Sequence, residues 1–411
     1  MRTPEKQKIR LALLAICAAF ILVPTACSSS TSESPDSGTV QSDSGTPQTG
    51  PVESAESTGQ TESTRKTTGN TTLESAPEPT TSGPVEVRFE TLVTNLEAPW
   101  DLVFLPDGRV LVTERDSGRV LSVDEKGNVE EVQQIPEGGS GEGGLLGLAL
   151  SPDYENDRYI YVYYTTGEDN RVGRFRLGEQ PESILTGIPV NTYHDGGRIA
   201  FGPDDLLYVA TGDAGVPESS QDLDSLSGKI LRMTPEGEIP ADNPFPNNLT
   251  YSYGHRNVQG LAWDEDDQLF ASEFGQDAYD EVNLIEAGGN YGWPEIEGEG
   301  GEPEYIDPIT VFETSEASPS GAEIPLNSAI PQWDGDFLMA ALRGEKLWRL
   351  ELNPDGSVAE REQLLDGDFG RLRHVAQAPD GTIWVFTNNR DGRGDPIPED
   401  DRILRLAPAG S

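Results

Sequence analysis

The chain has 411 residues and carries 72 Asp and Glu against 29 Lys and Arg, a formal net charge of −43. That balance leaves no basic footprint for a phosphate backbone, which excludes a nucleic-acid partner. The length allows a large core, and the acidity implies a strongly solvated surface.

Residues 1–27 have the form of an export signal. Arg2, Lys6, Lys8 and Arg10 precede an apolar run, Leu11 to Val23, that is too short and too early for a membrane span. The run ends at Thr25-Ala26-Cys27-Ser28, a lipoprotein-type cleavage site, although Pro24 stands where a small or aliphatic residue is usual. The expectation is an exported protein facing the periplasm or cell exterior, attached to a membrane only through a lipid anchor at Cys27. Plain secretion is the alternative. The only other cysteine is Cys17, so a mature chain acylated at Cys27 has no thiol for disulfides, zinc or nucleophilic chemistry. Residues 28–85 are rich in Ser, Thr, Pro and Gly and almost free of large apolar residues, which predicts a disordered linker.

Residues 86–411 change character. An apolar strand, a Pro-Asp or Asp-Gly turn and a second strand recur as LVFLPDGRVLVTE, LALSPDYENDRYIYVYY, IAFGPDDLLYVATG, LAWDEDDQLFASE, PQWDGDFLMAAL and VAQAPDGTIWVFT. A second strand-rich element follows each, as in GRVLSVDEKGNV and GKILRMTPEGEI. Both elements occur six times, which predicts an all-β fold, a six-bladed β-propeller of four-stranded blades. Glu86 to Leu92 is left over and is expected to close the ring on the last blade. A β-sandwich is the competing all-β fold, but it does not explain the repeat. The repeated Asp-Gly turns need no functional explanation.

Candidate functional residues are those the blade pattern does not require. The chain has three histidines, His194, His255 and His374, each within four positions of an arginine at a turn before a blade strand, which points toward a shared pocket. Ordinary structural histidines are the bland alternative. His194 precedes Asp195-Gly196-Gly197, where the glycines leave room for a ligand and the carboxylate can orient an imidazole acting as general base. Arg256, Arg343, Arg371 and Arg373 fall at matching blade edges, facing one end of the central channel, where guanidinium groups could hold a polycarboxylate. Salt bridging to nearby acids is their alternative role. The stretch from Glu273 to Tyr291 is rich in oxygen donors. Gly275 and Gln276 could present carbonyls to a hard cation, and Glu281 with the Tyr291 carbonyl could bind a second. The spacing is not that of an EF-hand.

Taken together, GEGGLLGLALSPDY, HDGGRIAFGPDDLLYVATGD, QDLDSLSGKILRM, GHRNVQGLAW, DEVNLIEAGGNYGWP and RLRHVAQAPDGTIWV resemble the soluble glucose, sorbosone and aldose sugar dehydrogenases that use pyrroloquinoline quinone (PQQ). The resemblance implies oxidation of an aldose at C1 to its lactone with PQQ and Ca²⁺, electrons leaving to an external acceptor. It implies His194 as catalytic base and Arg256 near the reactive carbonyls of PQQ. Asn257, Arg343, Arg371 and Arg373 become further cofactor contacts, and Gly275, Gln276, Glu281 and Tyr291 calcium ligands. Asp280 matches an acid beside the first metal site. Three residues depart from the family pattern: Glu142 replaces a Gln, Arg343 a Lys and Gln276 a Pro. A carboxylate beside an anionic cofactor needs an offsetting cation. The alternatives are a calcium-dependent lactonase-type hydrolase, which needs carboxylates converging on the axis, and a non-catalytic propeller that binds carbohydrate or protein. Ser318-Pro319-Ser320-Gly321, in the long segment Pro294 to Ile330, is expected to form a rim loop near the substrate.

Overall fold

The computed structural model describes residues 86–136 and 138–410. The expected signal, linker and Cys27 anchor lie outside them. Among the described residues no helix is long and apolar enough to cross a membrane.

Six antiparallel sheets of four strands each make the predicted propeller. Their inner strands, blades 1 to 6, are Pro99–Phe104, Leu145–Leu150, Ile199–Phe201, Val258–Trp263, Pro319–Glu323 and Leu372–Gln377. The ring closes as expected: Val87–Val93 pairs with Ile403–Pro408 and becomes the outer strand of blade 6.

Six hydrophobic clusters hold the ring, one between each pair of neighbouring blades. A blade therefore buries both faces. In Ile160–Thr165, Tyr161 and Tyr163 pack toward blade 3, while Ile160, Val162 and Tyr164 pack toward blade 1. The same holds for Val110 and Val112 against Leu111. Such strands read as unbroken apolar runs because no face is left for water. Truncating one of these side chains to Ala removes contacts on a face that cannot collapse, at a cost of about 2–5 kcal/mol. Outer strands such as Val129–Gln134 are largely exposed.

One blade differs from the sequence reading. The inner strand of blade 5 is Pro319–Glu323, inside the segment expected to be a rim loop, while the residues before Asp334 form a short 3-10 turn. Ser318-Pro319-Ser320-Gly321 therefore leads into and builds the channel wall. The reason is crowding at the axis. A Cβ on Gly321 would come within 2.1 Å of His374 Nδ1, so the position demands glycine at the expense of strand propensity.

The channel has two unlike ends. Loops leading into inner strands, and loops joining second to third strands, gather at the upper mouth. The lower mouth opens into a cavity of about 350 Å³ walled by Leu102, Leu148, Ile199, Leu261 and Ala322. A buried polar plug lies between them. Arg198 pairs with Asp101 at 2.6 Å above the Trp100 ring, His374 Nε2 lies 3.2 Å from Asp101, and Arg373 donates to Gln259 at 2.8 Å.

Candidate active site

His194 sits at the upper mouth on the loop entering blade 3. Its backbone is left-handed, with φ of 62°, a conformation that costs a non-glycine residue energy and persists only where neighbours enforce it. Several contacts enforce it. The His194 N–H donates to Glu142 Oε2 at 2.9 Å, and its carbonyl accepts from the Ala214 N–H at 3.2 Å. A Cβ at Gly212 would reach within 2.0 Å of that carbonyl, so only glycine fits there. Asn257, buried at the start of blade 4, accepts from the Gly196 N–H at 3.0 Å and ties the loop across the blade interface.

The carboxylate that orients the imidazole is Asp213, not the adjacent Asp195. His194 Nδ1 lies 2.7 Å from Asp213 Oδ1, and Asp213 also accepts from Trp293 Nε1 at 2.9 Å and from the Gly215 N–H at 2.7 Å. Burial pushes the Asp213 carboxyl up, but His194 and these donors outweigh it and hold it below its ordinary range. Asp195 is turned inward. It accepts from Asn170 and Asn191, leaves Oδ2 without a partner, and burial lifts it to about 6. The neighbouring glycines make room for backbone, not ligand. A Cβ at Gly196 would meet Ala210 O at 2.6 Å, and one at Gly197 would meet Leu146 at 2.5 Å.

With Nδ1 bonded to a carboxylate, the neutral imidazole carries its proton there and presents a lone pair at Nε2. Among the described residues nothing bonds Nε2, and the side chain is 15% exposed. That is the geometry of a general base.

Arg256 lies beside it. Its guanidinium stacks 5.4 Å from the Trp293 ring and, among the described residues, makes only a long 3.4 Å bond to Phe274 O and leaves its buried Nε without a partner. An under-satisfied, half-buried cation beside a base is a receptor for an anionic oxygen. Across the mouth, Arg371 grips Asp391 Oδ2 at 2.7 Å, and Arg373 lies 3.9 Å from the same oxygen. Burial lowers Arg373 to about 9. Arg115 donates to Asp391 O at 3.2 Å. Glu142 finds the offsetting cation it needs in Arg393, at 2.8 Å. Burial pushes the Glu142 carboxyl up, and the His194 N–H with Arg393 more than reverses this. Arg343 shares the face but not the cluster. It is exposed and makes no hydrogen bond or ion pair among the described residues.

The expected common histidine pocket is not there. His255 is fully buried between Glu273 at 2.8 Å and Ser252 at 2.8 Å, stacked on Tyr291. His374 belongs to the channel plug, where burial and the Arg198 and Arg373 charges hold it neutral.

The oxygen-rich stretch surrounds a small void. Gly275, Glu273, Glu281, Tyr291, Trp293 and Glu297 line a cavity of about 10 Å³, the room of one ion or water. Burial, then the neighbouring Glu273, raises Glu281 to about 8, and a cation would reverse that. Glu297 Oε1 accepts the N–H groups of Gln276 and Tyr279 at 2.6 and 3.1 Å, fixing the loop. Asp280 braces it from behind, accepting from the Gly275 and Ser318 N–H groups. No three His, Cys, Asp or Glu side chains gather as a metal cluster among the described residues, so a hard cation here would lean on carbonyls with Glu281. The oxygen donors are of the kind calcium takes, while the Arg256 guanidinium shares the wall of the void and opposes a cation there. On the axis stand arginines, not the converging carboxylates a lactonase-type centre needs.

Asp213, Trp293, Asp391 and Arg393 escaped the sequence reading. Asp213 had a usable signal: an acid in a glycine-bearing turn, Gly212 to Gly215, just after the strand that pairs with the one following His194. Trp293 had none. It reaches the mouth because its loop runs back beside Thr250–Tyr253, bonding Gly254 O at 2.9 Å.

The model of the family described as glucose/sorbosone dehydrogenase matches residues 96–404. The chain is similar to the aldose sugar dehydrogenase YliI of Escherichia coli, 32% identical over 76% of this chain and 92% of that protein. It is 35% identical to quinoprotein glucose dehydrogenase B of Acinetobacter calcoaceticus over half of each, 50% and 52%. The PQQ-bound aldose sugar dehydrogenase of Streptomyces coelicolor superposes with a TM-score of 0.74 at 48% identity, covering 79% of this chain and 99% of that one.

Proposed function

The chain belongs to the glucose/sorbosone dehydrogenase family, and from that premise we propose that it oxidises an aldose at C1 to the lactone with PQQ and Ca²⁺. The observation that carries the reading is the pairing, at one mouth, of the His194–Asp213 couple with the under-satisfied Arg256 guanidinium. When bound, the quinone would accept the two electrons of the C1–H bond as hydride, polarised by the calcium ion. Arg256 and Asn257 would hold its reactive side, with Arg371 and Arg373 at the opposite rim and Arg343 within reach of the same face. Gly275 and Gln276 carbonyls would hold one metal ion, and Glu281 with the Tyr291 carbonyl a second, although Gln276 does not line the small void that Gly275, Glu281 and Tyr291 share.

The chain's own part is proton chemistry and positioning. His194 Nε2 takes the proton of the C1 hydroxyl, which lets the C1–O bond become a carbonyl. Asp213 keeps the accepting lone pair at Nε2 and stabilises the imidazolium that forms. Trp293 holds Asp213 from its other oxygen and supports Arg256 from below. An external acceptor must then remove the electrons. Export and lipid attachment at Cys27 are part of the same proposal, and loss of fatty-acid labelling in Cys27→Ser tests them.

Reconstitution is the deciding experiment. Purified protein loaded with PQQ and Ca²⁺ should reduce a dye only when an aldose is present. Absence of turnover across a broad panel of aldoses and acceptors, with PQQ demonstrably bound, would sink the enzyme reading in favour of a binding propeller.

A further inference from the structure

A chain of polar contacts crosses the upper mouth from blade 6 to His194. Arg371 grips Asp391 Oδ2 at 2.7 Å, and Asp391 Oδ1 accepts the Arg393 N–H at 2.9 Å. Arg393 reaches over to Glu142 Oε1 at 2.8 Å, and Glu142 Oε2 takes the His194 N–H at 2.9 Å. The last two links are an ion pair and a bond to a residue in a strained conformation. The loop bearing Glu142 is pressed against the His194 loop: the Glu142 N–H donates to Thr192 O at 3.1 Å, and a Cβ at Gly141 would lie 2.1 Å from the same oxygen.

We propose that Glu142 and Arg393 form a charged strap with two tasks: Glu142 locks the left-handed backbone of His194, and Arg393 holds Glu142 in place while cancelling its field at the imidazole. The proposal rests on His194 being the base. It gives Glu142 a positioning role instead of a direct cofactor contact, and it explains how a carboxylate is tolerated at a rim built for an anion. A Gln at this position could supply the acceptor oxygen without any charge. A Glu brings the charge and must have Arg393.

The charges facing His194 come from every neighbouring element: Asp213 from blade 3, Asp195 from its own loop, Arg256 from the loop into blade 4, and Glu142 with Arg393 behind it. The Tyr193 ring covers one side. Glu142 and Arg393 can be removed without touching the catalytic couple or the cofactor arginines. Their effects on the imidazole must have opposite signs.

Proton NMR of the whole protein without added cofactor reads this directly. The chain has three histidines, and the His194 resonance is the one lost in His194→Gln. Glu142→Gln should move the His194 titration down by about 0.5–1 pH unit, the effect of a nearby unit charge in partly solvated surroundings. Arg393→Gln should move it up by a smaller amount, because its guanidinium is more exposed and lies beyond Glu142, and the double variant should fall between Glu142→Gln and wild type. In reconstituted enzyme, Glu142→Ala should lower kcat by about 10–100-fold through misplacement of the base, and Glu142→Gln should rescue most of that loss. Shifts of the same sign, or no shift in either single variant, overturn the proposal. Opposed shifts in a protein that never oxidises sugar would uphold the strap and defeat the dehydrogenase reading. Turnover without opposed shifts would do the reverse.

Discussion

His194 and His255 make nearly the same bond and have different fates. Each gives Nδ1 to a carboxylate, at 2.7 Å to Asp213 and 2.8 Å to Glu273. The His255 ring is completely buried, and Ser252 occupies its Nε2. The His194 ring is partly open, and its Nε2 has no partner among the described residues. A histidine–carboxylate pair is therefore not by itself a reactive couple. What decides is whether the second nitrogen is already satisfied. A satisfied pair rigidifies a blade interface, and an unsatisfied one at a mouth is available for chemistry.

Exchanging each histidine is the strongest way to break that contrast. His194→Gln should lower kcat by at least ~100-fold while PQQ and Ca²⁺ still bind, because general-base catalysis typically contributes 10²–10⁴-fold. A fully active variant would place the base elsewhere. Next in size is Arg256→Ala. Losing a charge-assisted partner should weaken PQQ binding by about 1.5–3 kcal/mol, read as a shifted reconstitution midpoint, with little change in the melting temperature of the cofactor-free protein. Little change is expected because the guanidinium has few protein partners to lose. His255→Gln should behave in the opposite way. Leaving Glu273 or Ser252 unpaired should cost about 1–3 kcal/mol of stability by denaturant unfolding, with kcat within about threefold of wild type. A large kcat loss at unchanged stability would erase the distinction between the two pairs.

An effect of similar size, spread over pH, concerns Asp195, next to the base but facing inward. Burial raises its folded pKa to about 6, above the unfolded value. The folded state therefore keeps a proton that the unfolded chain releases, and stability falls as pH rises from about 4 to 6. The loss amounts to roughly 1–3 kcal/mol above that window. Asp195→Asn should flatten this part of the stability–pH curve. An unchanged slope would mean that the carboxylate is better solvated than its geometry implies.

The ring was legible because repetition is local: a strand, a turn and a strand recur wherever the backbone needs them. His194, Arg256, Asn257, Arg371 and Arg373 were legible as one mouth because equivalent blade edges face one way. Partner choice was not legible. Asp213 rather than Asp195 orients His194, since adjacent residues on a sharply turned loop point apart while a neighbouring loop approaches. The inner strand of blade 5 was hidden by small residues that read as a loop, although the crowded axis requires them. His255 and His374 looked like His194 in sequence because burial at the axis or at a blade interface leaves no mark of its own.

The closure of blade 6 carries a consequence in time. Its outer strand, Val87–Val93, is synthesised before any other strand of the ring, and its partner Ile403–Pro408 is synthesised after all of them. Blade 6 thus remains unfinished, with Val87–Val93 lacking its partner, until almost the whole domain has been made. Contacts so distant along the chain form slowly, and an open edge invites pairing with other chains. The acidic surface provides repulsion between molecules during that interval, so the same net charge that excluded nucleic acid also guards an open ring against its own copies.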